Sequence, residues 1–324
     1  MAKQIDEQYL SDEDILERVL DGEQQVEEAL EDLYEGLISP LIFRGPPGTG
    51  KSELVERTSV NAGIESIDLL SSEWEAPTKE ERDAGAPAYP YKCLYEHRVK
   101  GALIRGADYN IWGLTADLYA NRNQGMLFMD DNDGILMDET AVAILMKATE
   151  QKPVKEVSYA KANSTHELLM RGVPATFQGN TPIAIATNID MRTQVQVALI
   201  KEEEASKPGK KPYVMPTYLK RWSALMDRGL YIDIGMNTPR SIRVYCEHKI
   251  KKFNMLTESA WLEANYGRCL TKEENENVMR WIREHQGQLS QPLSLRTYNS
   301  VAGVWIKRNK TFEQSAKTRF LRAV

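Results

Sequence analysis

Gly45-Pro46-Pro47-Gly48-Thr49-Gly50-Lys51-Ser52 is the densest piece of chemistry in the sequence, and it fits the spacing G-x-x-x-x-G-K-[ST] in full. Glycines at those places let the backbone curl until its N–H groups converge on an anion. A helix that begins where the loop ends adds its positive dipole end to the same spot. Lys51 is then placed to reach the β- and γ-phosphates of a nucleotide, and the Ser52 hydroxyl to ligate Mg²⁺. The residues from Gly45 to Ser52 are therefore expected to hold Mg-ATP.

A second group of acids follows downstream. Met126-Leu127-Phe128-Met129 is an apolar run that delivers Asp130 and Asp131. Asp130 is expected in the magnesium shell, and Asp131 is expected to orient or deprotonate an attacking water. Asp133 is a spare carboxylate on the next turn. Pro182-Ile183-Ala184-Ile185-Ala186-Thr187-Asn188 is another apolar run with a polar amide at its end. Asn188 reads either as part of the site or as a turn former at a strand end.

The elements that must position these residues follow from periodicity. Pro40 to Phe43 reads as a strand running into the glycine-rich turn, with a helix from about Lys51 to Asn61. A strand is expected near Ile64 to Leu70, an exposed insertion over Glu73 to Pro90, and a helix near Trp112 to Asn121. Met126 to Met129 is a strand, Glu139 to Gln151 a helix, Lys155 to Ala160 and Pro174 to Phe177 short extended pieces, and Ile183 to Ala186 a buried strand. Lys201 to Pro216 reads as a flexible charged loop, Leu230 to Ile234 as an apolar strand, and the chain after Asn237 as helical. Strands alternating with helices, followed by an all-helical part, predict an α/β fold with a parallel sheet and a smaller all-α lid. The expected divisions are 1–36, 37–236 and 237–324.

Ser11-Asp12-Glu13-Asp14 starts a helix with a capping oxygen and acids at the positive dipole end, and Gly22 is a place where this arm would split in two. The arm from Asp6 to Glu35 is densely acidic, with Arg18 its only Lys or Arg. The far end carries Lys307, Arg308, Lys310, Lys317, Arg319 and Arg322 against Glu313. A solvated face explains either end; the basic one is also suited to phosphates or an acidic neighbour.

At 324 residues, with 42% hydrophobic and 27% charged residues, the chain is long enough for one large core and a smaller appended domain. A net charge of −6 argues against a protein that coats nucleic acid. No apolar stretch approaches the ~20 residues needed to cross a bilayer, and no signal pattern opens the chain, so no membrane partner and a cytoplasmic location are expected. Cys93, Cys246 and Cys269 are scattered, and Cys246-Glu247-His248 has no partner at zinc spacing.

Taken in order, Gly45 to Ser52, Asp130-Asp131, Asn188, the Arg221 to Arg228 segment before an apolar strand, and Ser294-Leu295-Arg296-Thr297 resemble an AAA+ P-loop ATPase from about Leu37 to the C-terminus. The resemblance implies that Asn188 fixes the lytic water beside the γ-phosphate. It implies that Arg228, or else Arg221, acts on the ATP of the next subunit in a ring, commonly a hexamer. Arg296 resembles the second sensor, an arginine that reads nucleotide from the lid. Many members have Glu where Asp131 stands, a departure that shortens the reach toward water.

More narrowly, the Asp-Asp pair and the Thr187-Asn188-Ile189-Asp190 ending resemble ATPases of tailed phages and, more distantly, viral superfamily 3 helicases. A location in the bacterial host cytoplasm follows from the first of these. The short stretch before the loop and the Gly-Pro-Pro-Gly-Thr-Gly-Lys form favour the phage type, with no origin-binding or nicking domain expected. Two segments are candidates for a central pore: Gly106 to Trp112, with Tyr109, and Lys155 to Phe177, with Lys155, Lys161, His166 and Arg171. Aromatic and basic residues suit nucleic acid there. DNA is one expected partner class; a protein substrate or adaptor, suggested by the acidic arm and Tyr109 to Trp112, is the other.

Overall fold

A computed structural model describes residues 7–61, 65–67, 101–105, 110–120, 122, 126–152, 154–158, 173–207 and 210–322. The strands β1 (Leu41–Arg44), β2 (Glu65–Ile67), β3 (Gly101–Arg105), β4 (Met126–Asp130), β7 (Ile183–Thr187) and β8 (Leu230–Asp233) form one sheet in the order β2-β3-β4-β7-β1-β8. Every pair from β2 to β1 is parallel. β4 and β7 read as unbroken apolar runs because both faces of a parallel strand are covered.

Small residues on β7 shape the middle of the sheet. Ala184 stands opposite Phe128 and Ala186 opposite Phe43, so the two phenyl rings meet across the alanines with centroids 6.3 Å apart. A larger side chain at either alanine would separate them. Helix α2 (Lys51–Asn61) follows the glycine-rich loop, and α3 (Ile111–Ala120), α5 (Glu139–Ala148) and α7 (Thr217–Met226) supply Leu114, Leu118, Leu145, Trp222 and Leu225 to the core. Between β4 and α5 lies the short α4 (Asp133–Met137), whose Leu136 carbonyl accepts the Trp222 indole N–H at 2.6 Å.

β5 (Lys155–Ser158) and β6 (Thr176–Gly179) form a separate antiparallel pair. Val157 and Phe177 face each other and are buried, Phe177 with its edge on Tyr119 at 5.2 Å.

Three expectations change. The N-terminal helix α1 runs unbroken over Asp12–Tyr34. Gly22 does not split it, because an added Cβ there would lie 2.9 Å from the Ile234 carbonyl: the glycine serves close packing, not a break. The stretch expected as a loop from Lys201 is helical to Ala205, in α6 (Met191–Ala205), where Asp190 caps the start by accepting the Thr193 N–H at 2.9 Å. β3 has no counterpart in the sequence reading, since Ala-Leu-Ile is too short a run to announce a strand. Pairing with β2 and β4 makes it one. The insertion at Glu73 to Pro90 lies outside the described residues.

The chain divides into two compact units that are not collinear with it. One takes the chain up to Gln24, the loop Gly45–Lys51 and everything from Asp233 onward; the other takes Gln25–Arg44 and Ser52–Ile232. The first is helical: α8 (Pro239–Lys252), α9 (Ala260–Tyr266), α10 (Lys272–His285), α11 (Leu295–Arg308) and α12 (Phe312–Phe320) enclose a core built on Ile250, Val278, Ile282, Tyr298 and Val301.

Charge seats the first half of α1 within that unit. Asp12 bonds Arg240 and Arg243, and the buried Glu23 takes the ammonium of the buried Lys249 at 2.7 Å. Removing one partner of such a buried pair strands the other and costs about 3–5 kcal/mol. Among the described residues no helix is long and apolar enough to cross a membrane.

Candidate functional site

The glycine-rich loop lies in the helical unit as far as Lys51. Gly48 and Gly50 have φ of +70° and +94°, a region that residues with a Cβ rarely adopt. Lys51 is 5% exposed and folds back over the loop, donating to the Gly45 and Pro46 carbonyls at 3.1 Å each. The Thr49 hydroxyl donates to the same Pro46 carbonyl at 2.8 Å.

The start of α11 lies against this loop. The Leu295 N–H, one of the helix's unpaired first donors, gives its hydrogen to the Gly48 carbonyl at 3.1 Å. A Cβ on Gly48 would sit 2.9 Å from that of Ser294, the helix cap, and 3.8 Å from Cδ of the exposed Arg296. Gly48 is thus needed twice, for its backbone turn and for its missing side chain. The sequence pointed to Arg296 here; Ser294 and the Leu295 amide carried no signal beyond a helix start.

In the sheet unit, the Ser52 hydroxyl donates to Asp130 Oδ2 at 2.5 Å. The parallel register sets Asp130 opposite Ala186 and Arg44 opposite Thr187. The turn after β4 therefore comes beside the end of β7. Asp131 has φ +50°, a left-handed conformation for a residue with a side chain, at a cost of about 1–2 kcal/mol. Its Oδ1 accepts the Asn188 Nδ2 at 3.1 Å. Asp133 accepts the Thr187 hydroxyl at 2.6 Å, the Asn188 main-chain N–H at 3.3 Å and the Asn188 Nδ2 at 3.3 Å. The structure brings Asp131, Asp133 and Asn188 together, with the spare carboxylate bonded to both Thr187 and Asn188.

The two candidate arginines are also in the sheet unit. Arg221 on α7 donates to the Glu139 carbonyl, and Arg228, between α7 and β8, donates to the Met146 carbonyl. Glu247, in the helical unit, is held by Arg283 at 2.6 Å and lies 3.6 Å from Arg243. Arg228 also lines a cavity of about 630 Å³ beside the residues that precede β1, β7 and β8. Lys155 lines it too, and burial holds its pKa below the usual lysine value.

Of the pore candidates, Trp112 is partly buried against the sheet core. Tyr109, Lys161, His166 and Arg171 lie outside the described residues. Cys246 is buried, and burial with the charge of Glu247 pushes its thiol up to about 12, unlike a metal-binding or reactive cysteine.

No family model matches the chain. It is similar to a phage protein. That protein, from Enterobacteria phage T4 and described as "Uncharacterized 36.7 kDa protein in nrdC-mobD intergenic region", is 23% identical over 185 residues, or 57% of this chain. The match spans 48% of the phage protein, so the chain covers about half the length of this relative.

Proposed function

We propose that this chain is a phage-type AAA+ ATPase that binds Mg-ATP on Gly45 to Ser52 and hydrolyses it within a ring, most simply a hexamer. The observation that carries the reading is the bond between the Ser52 hydroxyl and Asp130, 78 residues apart in sequence, which unites two oxygen groups of the kind magnesium prefers. Bound Mg²⁺ would neutralise charge on the phosphates. The left-handed Gly48 and Gly50 fit a loop whose N–H groups turn inward, and Lys51 adds a point charge beside it.

Asp131 accepts a proton from the attacking water or orients it, and Asn188 fixes that water's position. Arg228, or Arg221, completes the site of a neighbouring subunit, and Arg296 reads the nucleotide from α11. Both finger candidates are held by main-chain carbonyls, which leaves the choice between them to mutagenesis.

The energy of hydrolysis moves or remodels DNA. This is favoured over a protein substrate by the antiparallel β5–β6 pair at the two ends of the pore candidate Lys155 to Phe177, and by the exposed Lys307, Arg308, Lys310, Arg319 and Arg322. The acidic arm, which motivated the protein reading, spends Asp12 and Glu23 on α8 of its own chain.

ATP hydrolysis with Mg²⁺, measured alone and with single- and double-stranded DNA, tests both levels, with Lys51→Ala as the blank. Turnover lost in Lys51→Ala and raised by DNA supports the whole reading. DNA-independent turnover moves the weight to a protein substrate, and turnover indifferent to Lys51 removes the ATPase altogether.

A further inference from the structure

Asp133 is assigned no role by any of the motifs above, yet it bonds Thr187 and both the main chain and the side chain of Asn188. One of its oxygens, Oδ1, takes the Thr187 hydroxyl at 2.6 Å and the Asn188 main-chain N–H at 3.3 Å. The other, Oδ2, takes the Asn188 side-chain Nδ2 at 3.3 Å. Thr187, fully buried, passes the order on: its Oγ1 accepts the Ile189 N–H at 3.0 Å, which closes the turn after β7.

A carboxamide NH₂ has two hydrogens. On Asn188 they are divided between Oδ1 of Asp131 at 3.1 Å and Oδ2 of Asp133 at 3.3 Å. A single such bond leaves the amide plane free to swing about the terminal torsion, which has a broad minimum. Two bonds from opposite carboxylates fix the plane, and with it the direction of the amide oxygen.

The main-chain bond to the Asn188 N–H fixes the Cα from which the side chain starts. Asp133 is able to do this because the register of β4 with β7 brings the first turn of α4 to the end of β7.

We propose that Asp133 is the positioning residue of the hydrolytic pair: it aims Asn188 and, through the shared amide, holds Asp131 in its left-handed turn. The proposal rests on the ATPase reading. Asp133 itself touches neither water nor nucleotide in this account; it acts through Asn188.

Asp133→Asn separates positioning from mere stability. The new carbonyl oxygen can still accept from Thr187, but its NH₂ would face the NH₂ of Asn188, two donors with no acceptor between them. The aim of Asn188 is lost while most of the local fold remains. Misplacement on this scale costs about tenfold to a hundredfold in rate.

We expect Asp133→Asn to lower kcat for ATP by that factor, with KM and binding of a fluorescent ADP within about twofold of the unchanged protein. Asp133→Glu, which keeps the acceptor pair on a longer arm, should recover part of the loss. In an Asn188→Ala background the Asp133→Asn change should cost little more, because its target is gone.

A kcat near that of the unchanged protein, or an equal loss in both backgrounds, overturns the proposal while leaving the ATPase in place. Absence of Lys51-dependent hydrolysis in the unchanged protein overturns both, and is distinguishable because it precedes any change at Asp133. If Asp133→Asn fails to fold, Asp133→Glu is read in the same two backgrounds and must lower kcat in the first only.

Discussion

The two edges of the parallel sheet are built on different principles. At the carboxyl edge, β4 and β7 end in side chains that bond one another, and Asp131 is held at φ +50° among them. At the amino edge, β1 and β8 begin with backbone against backbone. The Leu230 N–H donates to the Pro40 carbonyl at 2.9 Å, and a Cβ on Gly229 would lie 1.9 Å from that oxygen. Strain tolerated where polar groups converge suggests chemistry, and contact this tight between main chains suggests stability. The edge that carries the conformational cost also carries the acids and the amide.

The largest effect that would sharpen this contrast is at Asp131. If the proposed ATPase reading holds, Asp131→Asn removes the acceptor for a proton and should lower ATP turnover about 10²–10⁴-fold. The melting temperature should hold, because Asn tolerates a left-handed backbone as well as Asp does. A large fall in melting temperature alongside turnover would make the carboxyl edge structural and break the comparison.

Gly229→Ala is the reverse experiment. Its Cβ has nowhere to go, and overpacking of this kind costs about 1–3 kcal/mol, seen as a lower midpoint in urea. Turnover per folded molecule should be unchanged. A variant as stable as the unchanged protein would mean that β1 and β8 move apart freely, and that the amino edge is not a fixed one.

The smallest effect concerns pH. Glu150, on the cavity at the amino edge, is flanked by the ammonium groups of Lys147 and Lys152 at 2.7 Å each, and their hydrogen bonds lower its pKa from 4.5 to about 2. The unfolded chain therefore takes up this proton first as pH falls. The stability that the pair contributes is present above about pH 4.5 and is lost progressively toward pH 2. Glu150→Gln should make the melting temperature slightly less sensitive to pH over that window, and 1 M salt should erase the difference. A sensitivity identical in the variant and the unchanged protein would remove Glu150 from the amino edge's electrostatics.

Much of the sheet was legible in local pattern. β1, β4, β7 and β8 are apolar runs whose ends are marked by glycine, acid or amide, and their type follows from composition alone. β3 was not legible, because Ala102 to Ile104 becomes a strand only through its neighbours on either side. Gly22 was misread for a related reason. A glycine inside a helical pattern signals a break or a close approach, and only the position of Ile234 decides which. The acids at Asp130 and Asp131 and the amide at Asn188 were recognisable one by one; that Asn188 bonds both Asp131 and Asp133, and Asp133 bonds Thr187, was not, since the partners are 54 to 57 residues apart.

The sequence by itself determined the loop from Gly45 to Ser52, the acidic and amide strand ends and the helical C-terminal part, because backbone propensity and burial period act over a few residues. Tertiary structure decided which carboxylate holds Asn188 and which amide meets the Gly48 carbonyl. Those pairings depend on strand order and register and on where a distant helix begins, which are set by the packing of whole elements and by no local pattern.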